Sequence, residues 1–392
     1  MKYYLIAGEA SGDLHGSNLI KGLREADAEA SFRFWGGDLM AEAAGGTEPV
    51  RHYRDTAVMG VFDVLTHLPR IVSNFAACHA DIRRWNPDVV VLIDYPGFNL
   101  PIAKWAKRHG FRVFYYISPK VWASKEYRVR SMRRYIDKLF TIFPFETEWL
   151  TKRGIEPFYC GNPVMDAIAA ASNPDDRPEL FAARHGLNEK PKIALLAGSR
   201  RSEIKYVLPE MMRMIPHYPH YEFVIAGAPS FTEADYEPYL QGRKIPIVFG
   251  RTYELLAASR AAIVTSGTAT LETALLGCPQ VVVYLMWGGG FSHWVARKLI
   301  KVPYISLVNL ILGRQCVCEL FQKDYTFERL RHEFELVAGT TRERTVMLEQ
   351  YEQLKKLVGG PGCSRRAADE MVRLLRLWNG GPHPAGNQTD KA

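Results

Sequence analysis

The chain has 392 residues, 47% of them apolar and 23% charged, with a formal net charge of +8. This length exceeds one ordinary core and fits two domains, and the apolar fraction excludes a disordered chain. The positive balance admits three kinds of acidic partner: nucleic acid, anionic lipid or a phosphorylated metabolite. No apolar run is long enough to span a bilayer, and the N-terminus reads directly as a strand rather than a signal peptide. Six cysteines without a Cys-x-x-Cys spacing predict reduced thiols in a cytosolic protein, with no metal site.

In chain order, Tyr3–Ala7 is an apolar strand that runs through Gly8 and Glu9-Ala10-Ser11-Gly12-Asp13 into a helix. Further strands are expected at Phe32–Gly36, Val89–Asp94, Arg112–Ile117, Lys138–Phe143 and Phe158–Cys160. Between them, Val58–Phe75 carries an apolar stripe at helical spacing, and Lys120–Lys138 is rich in Lys and Arg. Ala169–Pro178 is small, polar and proline-containing, as expected of a connection, within a linker spanning 166–190. The alternation restarts at Lys192–Ala197, Glu222–Ala226, Ile247–Phe249, Ala262–Thr265 and Gln280–Leu285. Phe327–Val358 reads as helical, Gly359-Gly360-Pro361-Gly362 breaks it, and Ser364–Trp378 reads as a last amphipathic helix opened by a Ser cap. The tail from Asn379 lacks apolar content and is expected to be disordered. Strands alternating with helices predict an α/β chain of two Rossmann-like, doubly wound domains, 1–165 and 191–362. The last helix is expected to pack back on the first domain.

Four strand-to-helix turns carry candidate chemistry. In open α/β sheets ligands bind outside the carboxyl ends of strands, and a helix N-terminus favours anions. Gly198-Ser199-Arg200-Arg201 adds two arginines suited to a diphosphate. Ser266-Gly267-Thr268 offers hydroxyls and backbone N–H groups, with Glu272 one turn into the helix for ribose or sugar hydroxyls. Glu9 and Asp13 in the first turn would repel phosphate and suit hydroxyls, alongside Ser11 and Gly12. Asp94 ends a run of β-branched residues, where it serves either as a base or as a brace of the turn. Trp287–Gly290, before a basic helix at Ser292–Lys301, is a lid or a connector. No Asp-x-Asp occurs, which counts against a divalent-metal nucleotide-sugar site and leaves arginines and helix dipoles to stabilise a leaving diphosphate. No cofactor is expected. An apolar stripe with Val61, Phe62, Leu65 and Leu68, near a basic segment with Arg128, Arg130, Arg133 and Arg134, suits an anionic membrane surface; each segment alone is more commonly a core face or a solvated charged face.

From Tyr3 to about Trp378 the chain resembles lipid A disaccharide synthases, inverting glycosyltransferases of the GT-B fold. The resemblance is carried by Gly8-Glu9-x-Ser11-Gly12-Asp13, Ala57-Val58-Met59-Gly60, Asp94-x-Pro96-x-Phe98-Asn99, Gly198-Ser199-Arg200, Ser266-Gly267-Thr268 with Glu272, and Asn309 with Glu319 and Gln322. It departs at Ser124, where a second Trp is expected after Trp122, and at Ala197 and Val308, where Pro is expected. The resemblance implies a UDP-2,3-diacylglucosamine donor, a 2,3-diacylglucosamine 1-phosphate acceptor, and a β-1,6-linked disaccharide 1-phosphate and UDP as products. It implies two domains facing across a cleft and a peripheral enzyme on the cytosolic face of the inner membrane. Asp94 is then the base, with Glu9 the competing carboxylate and Asn99 in the same acceptor site; Asn309 and Glu272 hold hydroxyls of the UDP-sugar. A homodimer is left open. Competing readings are a UDP-sugar 2-epimerase or an undecaprenyl-linked N-acetylglucosaminyltransferase on the same fold, and a non-catalytic membrane-surface protein. A nucleic-acid binder is disfavoured because the basic residues are dispersed and no binding motif occurs.

Overall fold

A computed structural model describes residues 1–56, 68–171, 178–285 and 303–379. The chain folds into two compact units, Met1–Pro163 together with the chain from Pro361, and Val164–Gly360.

The first unit is built on seven parallel strands: β1 (Lys2–Ala7), β2 (Ser31–Gly36), β3 (Arg51–His52), β4 (Val89–Ile93), β5 (Val113–Tyr116), β6 (Lys138–Thr141) and β7 (Phe158–Tyr159). Their spatial order is β3-β2-β1-β4-β5-β6-β7. β1 and β4 are continuous apolar runs because both sheet faces are covered, by α1 (Ala10–Ala26), α2 (Asp38–Ala43), α3 (Leu68–Trp85), α4 (Pro96–Arg108), α5 (Val129–Tyr135) and α6 (Pro144–Thr151). Tyr4, Ile6, Val90, Leu92, Ile102 and Tyr115 belong to one core cluster on this sheet.

The second unit repeats the design with six parallel strands: β8 (Lys192–Leu196), β9 (Glu222–Gly227), β10 (Ile247–Phe249), β11 (Ser259–Thr265), β12 (Gln280–Tyr284) and β13 (Cys318–Phe321), in the order β10-β9-β8-β11-β12-β13. The helices relevant to its site are α7 (Arg201–Met212), α8 (Thr268–Leu275) and α9 (Leu307–Leu312). Phe327–Val358 is two helices rather than one, α10 (Phe327–Ala338) and α11 (Arg342–Val358), because Gly339 ends the first and the Thr341 hydroxyl caps the second by accepting from Arg344 N–H at 3.1 Å. Two strands, β3 and β13, have no expectation in the sequence; both lie at sheet edges, where burial imposes less pattern.

The last helix, α12 (Cys363–Asn379), belongs to the first unit and packs on α1. The approach is close because it is made of small residues: a Cβ on Gly22 would lie 3.1 Å from both Ala368 Cβ and Ser364 O. Arg365 pairs with Glu25, Arg112 donates to Trp378 O at 3.0 Å, and the Phe114 and Trp378 rings lie 5.5 Å apart. Ser364 does not cap this helix. It lies inside the first turn, with its hydroxyl 3.2 Å from that of buried Tyr116. All six cysteines are free, and Cys160 and Cys363 sit with sulfurs 3.4 Å apart. Among the described residues no helix is long and apolar enough to cross a membrane. The tail after Asn379, the Trp287–Gly290 loop, the basic helix at Ser292–Lys301, and Ala57–Gly60 lie outside the described residues.

Candidate active site

Each sheet has one point where the strand order reverses. In the first unit β1 and β4 are neighbours there, and in the second β8 and β11. Successive helices leave such a pair toward opposite faces, which opens a crevice at the carboxyl ends of the strands. The four turns that the sequence singles out are the turns after these four strands. Gly8–Asp13 follows β1, Asp94–Asn99 follows β4, Gly198–Arg201 follows β8, and Ser266–Thr268 follows β11.

In the first unit the turn after β4 is strained. Asp94 and Tyr95 have φ of 43° and 46°, and Ile117, which follows neighbouring β5, has φ of 64°. Left-handed backbone at such residues costs about 1–3 kcal/mol each and persists only where the surroundings over-determine it. Here the Asp94 N–H donates to Tyr116 O at 3.1 Å, and the Asp94 carbonyl accepts from Asn99 Nδ2 at 2.8 Å and from the Tyr115 hydroxyl. The side chain of Asp94 is thereby presented at the strand end. Burial raises its carboxyl above the usual range; the Lys120 ammonium opposes that shift, and the Glu9 carboxylate adds to it. Asp94, Lys120 and Glu9 therefore form one electrostatic group, contributed by three different turns. Glu9 is exposed at the start of α1 and caps it only through its backbone. Ser11 beside it is also exposed.

Asp13, Gly12 and Asn99 have other work. The Asp13 carboxylate accepts from the N–H groups of Gly37, Leu39 and Met40 at 2.7–3.1 Å, and so caps α2 across the sheet edge. It is 3% exposed, so contrary to expectation it is not available to acceptor hydroxyls. Gly12 is buried against Ala7, with room of only 3.2 Å to its Cβ. Asn99 is fully buried; its amide spans the switch point, donating to Ile93 O at 3.2 Å and Asp94 O at 2.8 Å. It braces the crevice from beneath.

In the second unit, Gly198 (φ 106°) makes the turn into α7. Glu203 curls back beneath it and accepts from the N–H groups of Ser199 and Arg200 at 2.9 and 3.2 Å. These donors are thus engaged by an internal carboxylate rather than open, in contrast to the expected anion cradle. A Cβ on Gly198 would lie 2.4 Å from Glu203 Oε2. The arginines remain at the surface: Arg200 Nη1 is 3.3 Å from Glu203, and Arg201 Nη2 is 2.8 Å from Asp235, each with a side chain about three-quarters exposed. Exposed pairs of this kind are worth about 0–1 kcal/mol, so an incoming polyanion can exchange with them. At the other turn Gly267 and Thr268 are exposed, and Gly267 caps α8 without a side-chain hydrogen bond. Glu272 accepts from the Tyr253 hydroxyl at 2.8 Å; burial raises its carboxyl and this bond opposes the rise. Asn309 is fully buried and its amide is fully used. Nδ2 donates to Val317 O and Glu319 at 2.9 and 2.8 Å, and Oδ1 accepts from Cys316 and Val317 N–H at 2.7 and 3.0 Å. Contrary to the expectation from the sequence, it cannot hold sugar hydroxyls directly. It fixes Glu319, which also accepts from the N–H groups of Ile305 and Ser306 at 2.9 and 2.8 Å. Among the described residues no cluster of His, Cys, Asp and Glu is placed to hold a metal.

Residues 3–368 match the protein family described as lipid-A-disaccharide synthetase. The chain is 36% identical over 378 residues to the lipid-A-disaccharide synthase of Myxococcus xanthus, covering 95% of this chain and 97% of that one. It is 35% identical over 383 residues to that of Nitrosococcus oceani, covering 96% of each. The chain belongs to the lipid-A-disaccharide synthetase family. It is accordingly a glycosyltransferase of lipid A biosynthesis. Solved structures agree on the fold alone. The UDP-GlcNAc 2-epimerase of Neisseria meningitidis superposes with a TM-score of 0.65 at 12% identity, covering 95% of this chain and all of that one. MurG of Acinetobacter baumannii gives 0.55 at 13% identity, covering 96% and 99%. The two doubly wound sheets are thus of the GT-B type.

Three groups of the first unit carry little functional signal in the sequence. Tyr95 lays its ring over Gly8. The Lys120 ammonium acts electrostatically on Asp94, although in sequence it reads only as part of a basic run. Glu146, at the start of α6, is completely buried, with its carboxyl pushed up to about 7 by burial. A Glu two residues after a Phe-Pro helix start is the sole local signal for it. Of the residues that the sequence suggests for membrane contact, Arg130, Arg133 and Arg134 are exposed on α5 and Arg128 is half-buried just before it. Tyr127 beside them is 74% exposed. Val61, Phe62 and Leu65 lie outside the described residues, as does the side chain of Leu68, which opens α3.

Proposed function

We propose that the protein joins UDP-2,3-diacylglucosamine to 2,3-diacylglucosamine 1-phosphate, forming the β-1,6 disaccharide 1-phosphate and UDP. The observation that carries this reading is Asp94: a carboxylate raised by burial, at the switch point of its sheet, on a strained turn. The acceptor's 6-hydroxyl gives its proton to Asp94 as its oxygen bonds to the anomeric carbon from the face opposite the diphosphate. The bond from that carbon to the diphosphate oxygen breaks, and its electron pair leaves with UDP, so the configuration inverts. A base of raised pKa suits this step, because its conjugate acid lies nearer the working pH. UDP is a good leaving anion and needs charge stabilisation rather than an acid.

In this reading the donor lies on the second unit. The exposed Arg200 and Arg201 exchange their carboxylate partners for the diphosphate, the start of α8 with Ser266, Gly267 and Thr268 supplies N–H groups, and Glu272 takes sugar hydroxyls. Glu9 and Ser11 line the acceptor side. Exposed Arg130, Arg133 and Arg134 with Tyr127 support contact with an anionic membrane surface on the cytosolic side, where the acyl chains of both substrates reside. Binding to anionic liposomes that falls with salt is the expected behaviour; salt-independent partitioning would remove the arginines from this role.

The deciding experiment incubates the protein with both substrates in the presence of EDTA and weighs the lipid products. A disaccharide 1-phosphate with free UDP is expected. An epimerised sugar nucleotide without a glycolipid would overturn the proposal.

A further inference from the structure

The segment after β5 is held by a buried contact that the proposed chemistry does not use. Ile117 is β-branched and left-handed, and Ser118 N–H donates to Phe140 O at 3.2 Å. Lys120 follows and is exposed, then Val121 and Trp122 turn back into the core. The Trp122 indole N–H donates to Glu146 Oε1 at 2.9 Å. The other oxygen of Glu146 accepts from the N–H groups of Ile142 and Phe143 at 3.3 and 3.2 Å. The indole stands edge-on to Phe143 and Phe145, with centroids 6.3 and 5.0 Å away. One carboxylate thus ties the start of α6 to the turn that carries Lys120. The strand that leads into that turn is bonded to the Asp94 strand end, since Asp94 N–H donates to Tyr116 O, one residue before Ile117.

We propose that Glu146 is a positioning residue: through the Trp122 indole it holds the turn 117–124 in the strained shape that keeps Lys120 within electrostatic reach of Asp94. The inference rests on the reading of Asp94 as base and adds the device that sets its charge state. Burial of a carboxylate is costly and is tolerated where all its acceptor sites are used. Here three donors converge on Glu146, and Lys120 is an electrostatic neighbour of both Glu146 and Asp94. Other groups face the two carboxylates. Glu9 acts on Asp94 from the β1 turn, Tyr95 adjoins it, and Tyr115 meets it from β5 with Arg128 behind. Tyr159 on β7 is an electrostatic neighbour of Glu146. Of these only Lys120 both lowers the Asp94 carboxyl and lies on the turn that Trp122 anchors.

The test combines three variants with two measurements. Trp122→Phe keeps the ring and removes the indole donor. Glu146→Gln places an amide NH2 against the backbone donors of Ile142 and Phe143. Lys120→Gln removes the charge at an exposed site. The first measurement is the acidic limb of the pH profile of kcat/KM, and the second is amide hydrogen exchange over 117–124. All three variants should move the limb to higher pH, by about half a unit or more, because Asp94 loses its stabilising cation. Trp122→Phe and Glu146→Gln should also speed exchange in 117–124, and the double variant should shift the limb no further than either single one. A merely structural role would lower the amount of active enzyme and leave the limb in place. An unmoved limb in Trp122→Phe or Glu146→Gln, with Lys120→Gln shifted, overturns the positioning role. An unmoved limb in Lys120→Gln overturns the proposal even if the buried variants fail to fold. If Asp94→Asn retains full activity, the base assignment itself has failed, and the exchange measurement still decides whether Glu146 holds the turn.

Discussion

The Tyr95 ring occupies the space that a side chain on Gly8 would need: a Cβ built there would lie 2.2 Å from Tyr95 Cδ1. Two turns that follow neighbouring strands are thereby locked together, and the left-handed pair Asp94–Tyr95 cannot relax without moving β1's exit. Gly8→Ala must push the ring aside and drag Asp94 with it. Misplacement of a reacting group by about 1 Å can cost about 100-fold in rate. The expected result is a folded protein with turnover reduced by about that factor and UDP affinity unchanged, checked by steady-state kinetics and calorimetry. A loss of UDP affinity would place the donor on the first unit instead.

Asp94→Asn keeps size and removes the proton acceptor. A general base contributes about 10²–10⁴-fold, so turnover should fall by that range with UDP binding nearly unaltered. Glu9→Gln separates the two carboxylates. Glu9 helps to raise the Asp94 carboxyl. A base works deprotonated, so its activity is lost as pH falls through its pKa; removing the Glu9 charge lowers that pKa and should move the acidic limb to lower pH. This is opposite in sign to the shift expected for Lys120→Gln. If Glu9→Gln abolishes turnover while Asp94→Asn retains it, the roles are reversed.

The Arg200 guanidinium makes an exposed contact to Glu203. Its removal should leave stability nearly unchanged and weaken UDP binding by about 1.5–3 kcal/mol, the value of a charge-assisted hydrogen bond. Calorimetry in EDTA reads this directly. Absence of UDP binding in EDTA with restoration by magnesium would refute the arginine-based site.

Glu146 predicts a pH dependence of stability. Its carboxyl is raised from 4.5 to about 7 in the folded protein, with burial the leading cause. Between those values the folded state binds more protons than the unfolded one, so stability falls as pH rises. The full loss is on the order of 3 kcal/mol. Glu146→Gln should flatten the change in Tm between pH 5 and 8, whatever its effect on the absolute Tm. A Tm slope identical to that of the parent protein would mean that Glu146 is ionised throughout.

The local pattern of the chain was enough for the two sheets and for the turns that matter. β1, β4, β8 and β11 are short β-branched or apolar runs ending in polar, glycine-containing or carboxylate turns, a signal that lies within a dozen residues. Both switch points follow once those strands are neighbours. The availability of each polar group was decided only by tertiary contact. Asp13 finds its donors on α2, more than twenty residues away, and Ser364 meets Tyr116 across 248 positions. Glu203 fills the turn that reads as an open anion cradle, and Asn309 spends its whole amide on β13 and the loop before it. Sequence displays which donors and acceptors a chain owns, because that is composition. Which of them remain unpaired depends on which other groups folding brings within about 3 Å, and hydrogen bonding at that range is not encoded in local periodicity. The charge state of Asp94 is decided in the same way, by burial and by a lysine and a glutamate that reach it from two other turns.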